Sequence, residues 1–163
     1  MNTTTTLSSM LNTQIQKEFE SAYIYLGFAA FFDMKGLAGF SEWYKQQAKE
    51  EEEHAMKIYD YLCKVNQPVE LLPIGAPKNK PETISQVLKQ SLEHEEYVTN
   101  LITTLYFQAE KEKNLFAKNF LNWFINEQLE EEQKAKELID KYKMFGSTPE
   151  GLYALDKELG GRQ

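Results

Sequence analysis

Cysteine is nearly absent. Cys63 stands alone among 163 residues, which excludes an internal disulfide framework and any Cys-rich zinc or rubredoxin-like site. No apolar run is long enough to span a membrane, so no membrane partner is expected. Basic residues are in deficit: 18 Lys and Arg stand against 25 Asp and Glu, a net charge of −7. A chain without a basic face is not expected to bind nucleic acid, whereas an acidic surface or cavity attracts cations. The opening stretch MNTTTTLSS has neither a basic start nor an apolar core, so no secretory signal is visible and a cytoplasmic location is expected. What remains is an ordinary globular composition, with 42% hydrophobic and 13% aromatic residues, which excludes disorder. The length suits one domain, expected to cover residues 1–163.

Glycine and proline are also scarce, 8 and 5 residues, and they are clustered. Gly36 and Gly39 bracket a short break. Pro68, Pro73, Pro77 and Pro81 share one segment, and Gly146 with Pro149 marks a late break. The stretches between read as helices over about 7–34, 39–64, 82–111 and 114–144, with a short one near 149–159. Pro81–Glu82 and Thr148–Pro149–Glu150 read as helix starts. Apolar stripes at helical spacing support this, among them Leu7, Leu11, Ile15, Ala22, Tyr25, Ala29 and Ala117, Phe120, Phe124, Ala135, Leu138. Each long helix would run about 40 Å. Short turns make the first and second helices, and the third and fourth, antiparallel neighbours. The link 65–81 can reach about 55 Å when extended, enough to run the whole bundle. The expected fold is therefore all-α: a four-helix bundle with one long crossover and a short C-terminal fifth helix.

The stripes are interrupted by Glu18, Glu51, His54, Glu95, Gln128 and Glu131, at least one per long helix and each near its middle. Helices of similar length place their midpoints at one height, so these six converge in the core. Glu51 and His54 are spaced i, i+3 and project to one side, as do Gln128 and Glu131. A lone Glu or His on such a stripe is commonly satisfied by its neighbours, but no Lys or Arg lies on these stripes to pair with the acids. Four buried carboxylates do not stay ionised unaided. They balance two divalent ions, and oxygen ligands with one imidazole suit iron or manganese. The reading is a dinuclear centre with Glu51 as bridge, Glu18 and His54 completing one ion, Glu95 and Glu131 the other, and Gln128 close by. Tyr25, two turns from Glu18, lies within reach as a hydrogen-bond or one-electron donor. Glu50, Glu127 and Glu130 each precede a stripe residue and turn the same way, which suggests an adjacent third cation site. His94 reads as surface, and Trp123 as core or interface.

The set Glu18 with Tyr25, Glu51-x-x-His54, His94–Glu95 and Glu127–Gln128-x-Glu130–Glu131, with the tail GLYALDKELG (151–160), resembles the ferritins, specifically the haem-free bacterial kind, over nearly the whole chain. The resemblance implies a hollow shell of twenty-four subunits. It also implies Fe(II) oxidation by oxygen or peroxide at a di-iron centre, and storage of iron as a ferric mineral. It matches the third site to Glu50, Glu127 and Glu130. Bacterioferritins carry a second Glu-x-x-His on the fourth helix and a haem-binding Met after the bridging Glu. Here those places hold Gln128-x-x-Glu131 and Glu52, so no haem is expected. The two acids that line the three-fold channel of animal ferritins fall at Lys118 and Leu121, which speaks against an acidic channel. The rivals are a di-iron carboxylate oxidoreductase without mineral storage, a DNA-coating mini-ferritin, against which the base-free N-terminus speaks, and a bundle whose metal serves folding only.

Overall fold

The computed structural model describes residues 5–78 and 80–162. The start of the Thr run (1–4), Asn79 and Gln163 lie outside the described residues. Five helices follow in order: α1 (Leu7–Met34), α2 (Ala38–Lys64), α3 (Ile84–Lys111), α4 (Leu115–Phe145) and α5 (Pro149–Gly160). The all-α bundle with a crossover and a tail helix is thus the fold the spacing predicts.

The helix starts are built by side-chain caps. Thr6, Thr83, Asn114 and Thr148 each accept a hydrogen bond from the backbone N–H three residues on. At α3 the expected start at Pro81–Glu82 is corrected by one turn signal. The sequence Thr83-x-x-Gln86 forms a variant of the capping box: Thr83 Oγ1 accepts from Gln86 N (3.2 Å) and Gln86 Oε1 accepts from Glu82 N (2.8 Å). The α2 start has no cap of its own. Asp156 of α5 supplies one, its Oδ1 accepting from Phe40 N at 2.9 Å. Gly39, which closes the break that Gly36 opens, is the second residue of α2. A Cβ there would lie 1.6 Å from Asp156 O, so only glycine lets α5 approach this closely. The turn itself is made by Gly36, at φ +74°.

The crossover runs along α1. Asn12 donates to Pro68 O (3.0 Å) and accepts from Glu70 N (2.7 Å), and Gln16 donates to Pro73 O (2.5 Å). Further on, Lys80 and Pro81 lie beside Ala30, Phe31 and Met34. The link therefore returns the chain to the end where α2 began, and α3 starts parallel to α2.

The core comes in two apolar layers. One holds Leu7, Leu11, Ile15, Ile58, Leu62, Ile102, Leu105, Leu121 and Phe124. The other holds Phe28, Phe32, Phe40, Tyr44, Leu138 and, from α5, Leu155 and Leu159. On α4 the inward residue is Leu121, fully buried, whereas Phe120, read above as a stripe residue, is half-buried and stacks on Tyr61 at 4.1 Å. Between the two layers lies a belt of buried polar side chains.

Candidate metal centre

All six residues that interrupt the stripes are buried in this belt, with Glu18, Glu95 and Glu131 each 1% exposed. Among the described residues, three groups of potential ligands have their atoms within 4.8 Å of one another: Glu18, Glu51 and His54; Glu51, Glu95 and Glu131; and His54, Glu127 and Glu131. Glu51 belongs to the first two, so it sits where a bridge between two ions would. One triad comes from α1 and α2, the other needs α2, α3 and α4.

Each carboxylate is oriented by a neighbour. Gln14, one turn before Glu18, donates to Glu18 Oε1 at 3.0 Å, while Glu18 Oε2 is buried without a hydrogen-bond partner. His54 Nδ1 lies 3.3 Å from Glu51 Oε2 and 3.9 Å from Glu18 Oε2, and its Nε2 faces Glu127 Oε1 at 3.5 Å. Glu95 Oε1 accepts from the Tyr25 hydroxyl, and its Oε2 accepts from Gln128 Nε2 at 3.1 Å. Gln128 also donates to Glu95 O and Thr99 Oγ1, both at 3.2 Å. Glu131 Oε2 accepts from Gln47 Nε2 at 2.9 Å.

The electrostatics follow from this crowding. Burial, with the Glu51 charge next in weight, holds the Glu18 carboxyl well above the usual carboxylate range. Burial and the Glu95 charge do the same to Glu51. Glu95 is pushed up to about 8, first by burial and then by Glu131. The Tyr25 hydroxyl is raised well above 10 by burial and by the carboxylates beside it, so it stays a proton donor. Burial opposes a charge on His54, but Glu127, Glu18 and Glu131 outweigh it and raise its pKa above the ordinary value. The hydrogen bond from His54 in turn holds Glu127 below the usual range. A pocket of protonated or mutually repelling carboxylates, with one buried oxygen left unpartnered, fits divalent cations bound by oxygen and one nitrogen.

A family model, the Ferritin-like domain, matches residues 8–145. The chain belongs to the ferritin family. It is 38% identical over 156 residues to a bacterial non-heme ferritin of Staphylococcus haemolyticus, covering 96% of this chain and 94% of that one. A probable bacterial non-heme ferritin-like protein of Haemophilus influenzae is 33% identical over 151 residues, covering 93% and 92%. Among solved structures, an engineered closed form of the Archaeoglobus fulgidus ferritin superposes with a TM-score of 0.94 at 38% identity, covering 96% of each chain. The open-pore ferritin of the same archaeon gives 0.93 at 38% identity, again covering 96% of each chain.

Within this ferritin fold several sequence expectations need correction. Lys134 does reach the acids: its Nζ lies 3.2 Å from Glu131 Oε1 and 3.3 Å from Glu50 Oε2. It sits one turn beyond Glu131, and its aliphatic stem lets the charge bend back to the belt from a half-exposed position. Arg162 also arrives, from the chain's end, with Nη2 at 3.0 Å from both Glu50 oxygens. Of the three acids read as a third cation site, Glu50 is thus held by two side-chain cations, Glu127 turns to His54, and Glu130 is exposed. His94 is half-buried rather than surface: its Nε2 is 2.7 Å from Ser21 Oγ, and burial, with Lys17 nearby, lowers its pKa to about 4. The two places matched to the channel acids of animal ferritins need no correction: Leu121 belongs to the core and Lys118 pairs with Glu110 at 3.5 Å. Trp123 is partly exposed, with its ring 5.4 Å from that of His54 and under the Lys57 ammonium at 3.8 Å. Gln14 and Gln47 hold ligand candidates from one helical turn away or across the bundle. The i, i+4 spacing of Gln14 to Glu18 was the available signal for the first.

Proposed function

We propose that this protein is a ferroxidase that stores iron. Two Fe(II) ions bind the central belt as substrate, one on Glu18, Glu51 and His54, the other on Glu51, Glu95 and Glu131. The observation that carries this reading is the membership of Glu51 in both ligand groups, in a belt where Glu18, Glu51 and Glu95 pair with no Lys or Arg among the described residues and Glu18 Oε2 has no hydrogen-bond partner. Carboxylate oxygens favour Fe(III) over Fe(II), which drives electron transfer to oxygen or peroxide. Tyr25 and Gln128 hold Glu95 from two sides and keep its oxygens aimed at the centre. Tyr25, at hydrogen-bond distance from a ligand, is also placed to give up an electron. The third position expected from Glu50, Glu127 and Glu130 is weaker than these two, because Glu50 is already engaged. The site has no role for haem in this reading.

The family and the relatives' names support iron storage, and a shell of twenty-four copies follows from the same kinship. The described residues contain no helix long and apolar enough to cross a membrane, and we assign the protein to the cytoplasm without a nucleic-acid partner. Stepwise aerobic Fe(II) addition to metal-free protein, followed by size-exclusion chromatography with iron and protein detection, tests the whole reading. Storage requires tens to hundreds of irons per chain on a large soluble particle. Uptake that stops near two or three per chain on a small species would instead make the protein a di-iron oxidoreductase without mineral.

A further inference from the structure

One corner of the belt already carries cations of the protein's own. Glu131 is completely buried, and each of its oxygens accepts one hydrogen bond, Oε2 from the Gln47 amide at 2.9 Å and Oε1 from the Lys134 ammonium at 3.2 Å, which leaves lone pairs for a metal ion. Glu50 shares that ammonium at 3.3 Å and receives the Arg162 guanidinium on both oxygens. Arg162 is itself anchored: it donates to Gln47 Oε1 at 2.6 Å and to Trp43 O at 3.3 Å, and its guanidinium lies 4.6 Å over the Trp43 ring. Arg162, Gln47, Glu131, Lys134 and Glu50 therefore close a ring of hydrogen bonds. Glu18, by contrast, pairs with no Lys or Arg among the described residues and keeps one oxygen unpartnered.

We propose that Lys134 is a resident counter-cation: its ammonium lies between Glu50 and Glu131 and engages Glu50, one of the acids expected to form a third cation site, so each chain takes two ions tightly and a third only weakly. This rests on the two-ion reading above. A third divalent metal would need Glu50 oxygens at about 2.0–2.6 Å, and it reaches them only by displacing the ammonium. Lys suits the role better than Arg would. Its charge is compact and its stem flexible, so it can swing out to water when an incoming ion outcompetes it. The fork of Arg162 instead fixes Glu50 from the far side.

The test uses anaerobic Co(II) and Zn(II), which bind without oxidation, titrated into the metal-free full-length protein and followed by calorimetry and the Co(II) visible spectrum. Wild type is expected to saturate at two tight ions per chain. Lys134→Gln is expected to take three, with the third bound about ten- to a hundredfold more tightly than in wild type. Lys134→Arg, which keeps a charge, should stay at two. Lys134→Met, which preserves the apolar stem, should behave as Lys134→Gln and serves if that variant folds poorly. Equal stoichiometry and affinity in wild type, Lys134→Gln and Lys134→Met would overturn the proposal. Glu51→Ala keeps the two readings apart. If it retains two tight ions, the dinuclear reading itself fails. If it loses them while the Lys134 variants match wild type, only the counter-cation fails.

Discussion

The apolar layers and the polar belt between them are built on opposite principles. In the layers, Phe32 stacks on Phe40 at 4.7 Å and on Tyr44 at 5.5 Å, and Ile58, Leu62 and Ile102 are sealed from water. Every contact there favours the folded chain. In the belt, Glu18, Glu51 and Glu95 crowd together and each would rather hold a proton than a charge. The layers hold the helices at a fixed separation, and this lets the belt stay unfavourable until cations arrive. Stability and function are thus separated by height along the same four helices.

The sharpest way to break this contrast is Glu51→Ala. Both ions lose a ligand, and rapid Fe(II) oxidation followed by stopped-flow absorbance is expected to fall by more than about a hundredfold. A normal rate would move the chemistry out of the belt. Two turns further along the same helix face, Ile58→Ala is expected to cost about 2–5 kcal/mol in denaturant unfolding, while Glu51→Gln should raise the unfolding midpoint of the metal-free protein. If both substitutions destabilise, belt and layers do not differ as described.

A milder probe is pH. The folded protein holds protons on Glu18, Glu51 and Glu95 more tightly than the unfolded chain does. It therefore binds more protons between the ordinary carboxyl value of 4.5 and the Glu95 value of about 8, and the stability of the metal-free protein falls as pH rises through that window. Zn(II) displaces those protons, so the gap in melting temperature between loaded and metal-free protein should widen from pH 5 to pH 8. A constant gap would mean that the acids are not paired with the metal. The smallest effect concerns the strap. Asn12→Ala removes the bonds to Pro68 and Glu70 and should cost about 1 kcal/mol with no change in oxidation rate.

Most of the architecture was legible because its signals are local. The polar interruptions at Glu18, Glu51, Glu95 and Glu131 stand out against apolar neighbours, and the Pro-rich link announces the crossover. What escaped the sequence depends on long side chains or on distant segments. Lys134 looks like a solvated residue until its stem bends back to Glu131. Arg162 lies 112 positions from Glu50, and only the docking of α5 joins them. Asp156 caps α2 across a comparable distance, which is why the α2 start showed no cap of its own. Leu121 and Phe120 differ by one residue, and the helix phase that chose between them was set by packing against α2 and α3.

The bridging position of Glu51 has a consequence for the order in which the protein is made. A ribosome releases α1 and α2 first, and with them Glu18, Glu51 and His54. The partners that turn one ion place into two, Glu95 and Glu131, follow only with α3 and α4. On the two-ion reading proposed above, a chain that lacks α3 and α4 carries one ligand group without the other. If two ions react together there, that chemistry waits for the complete bundle.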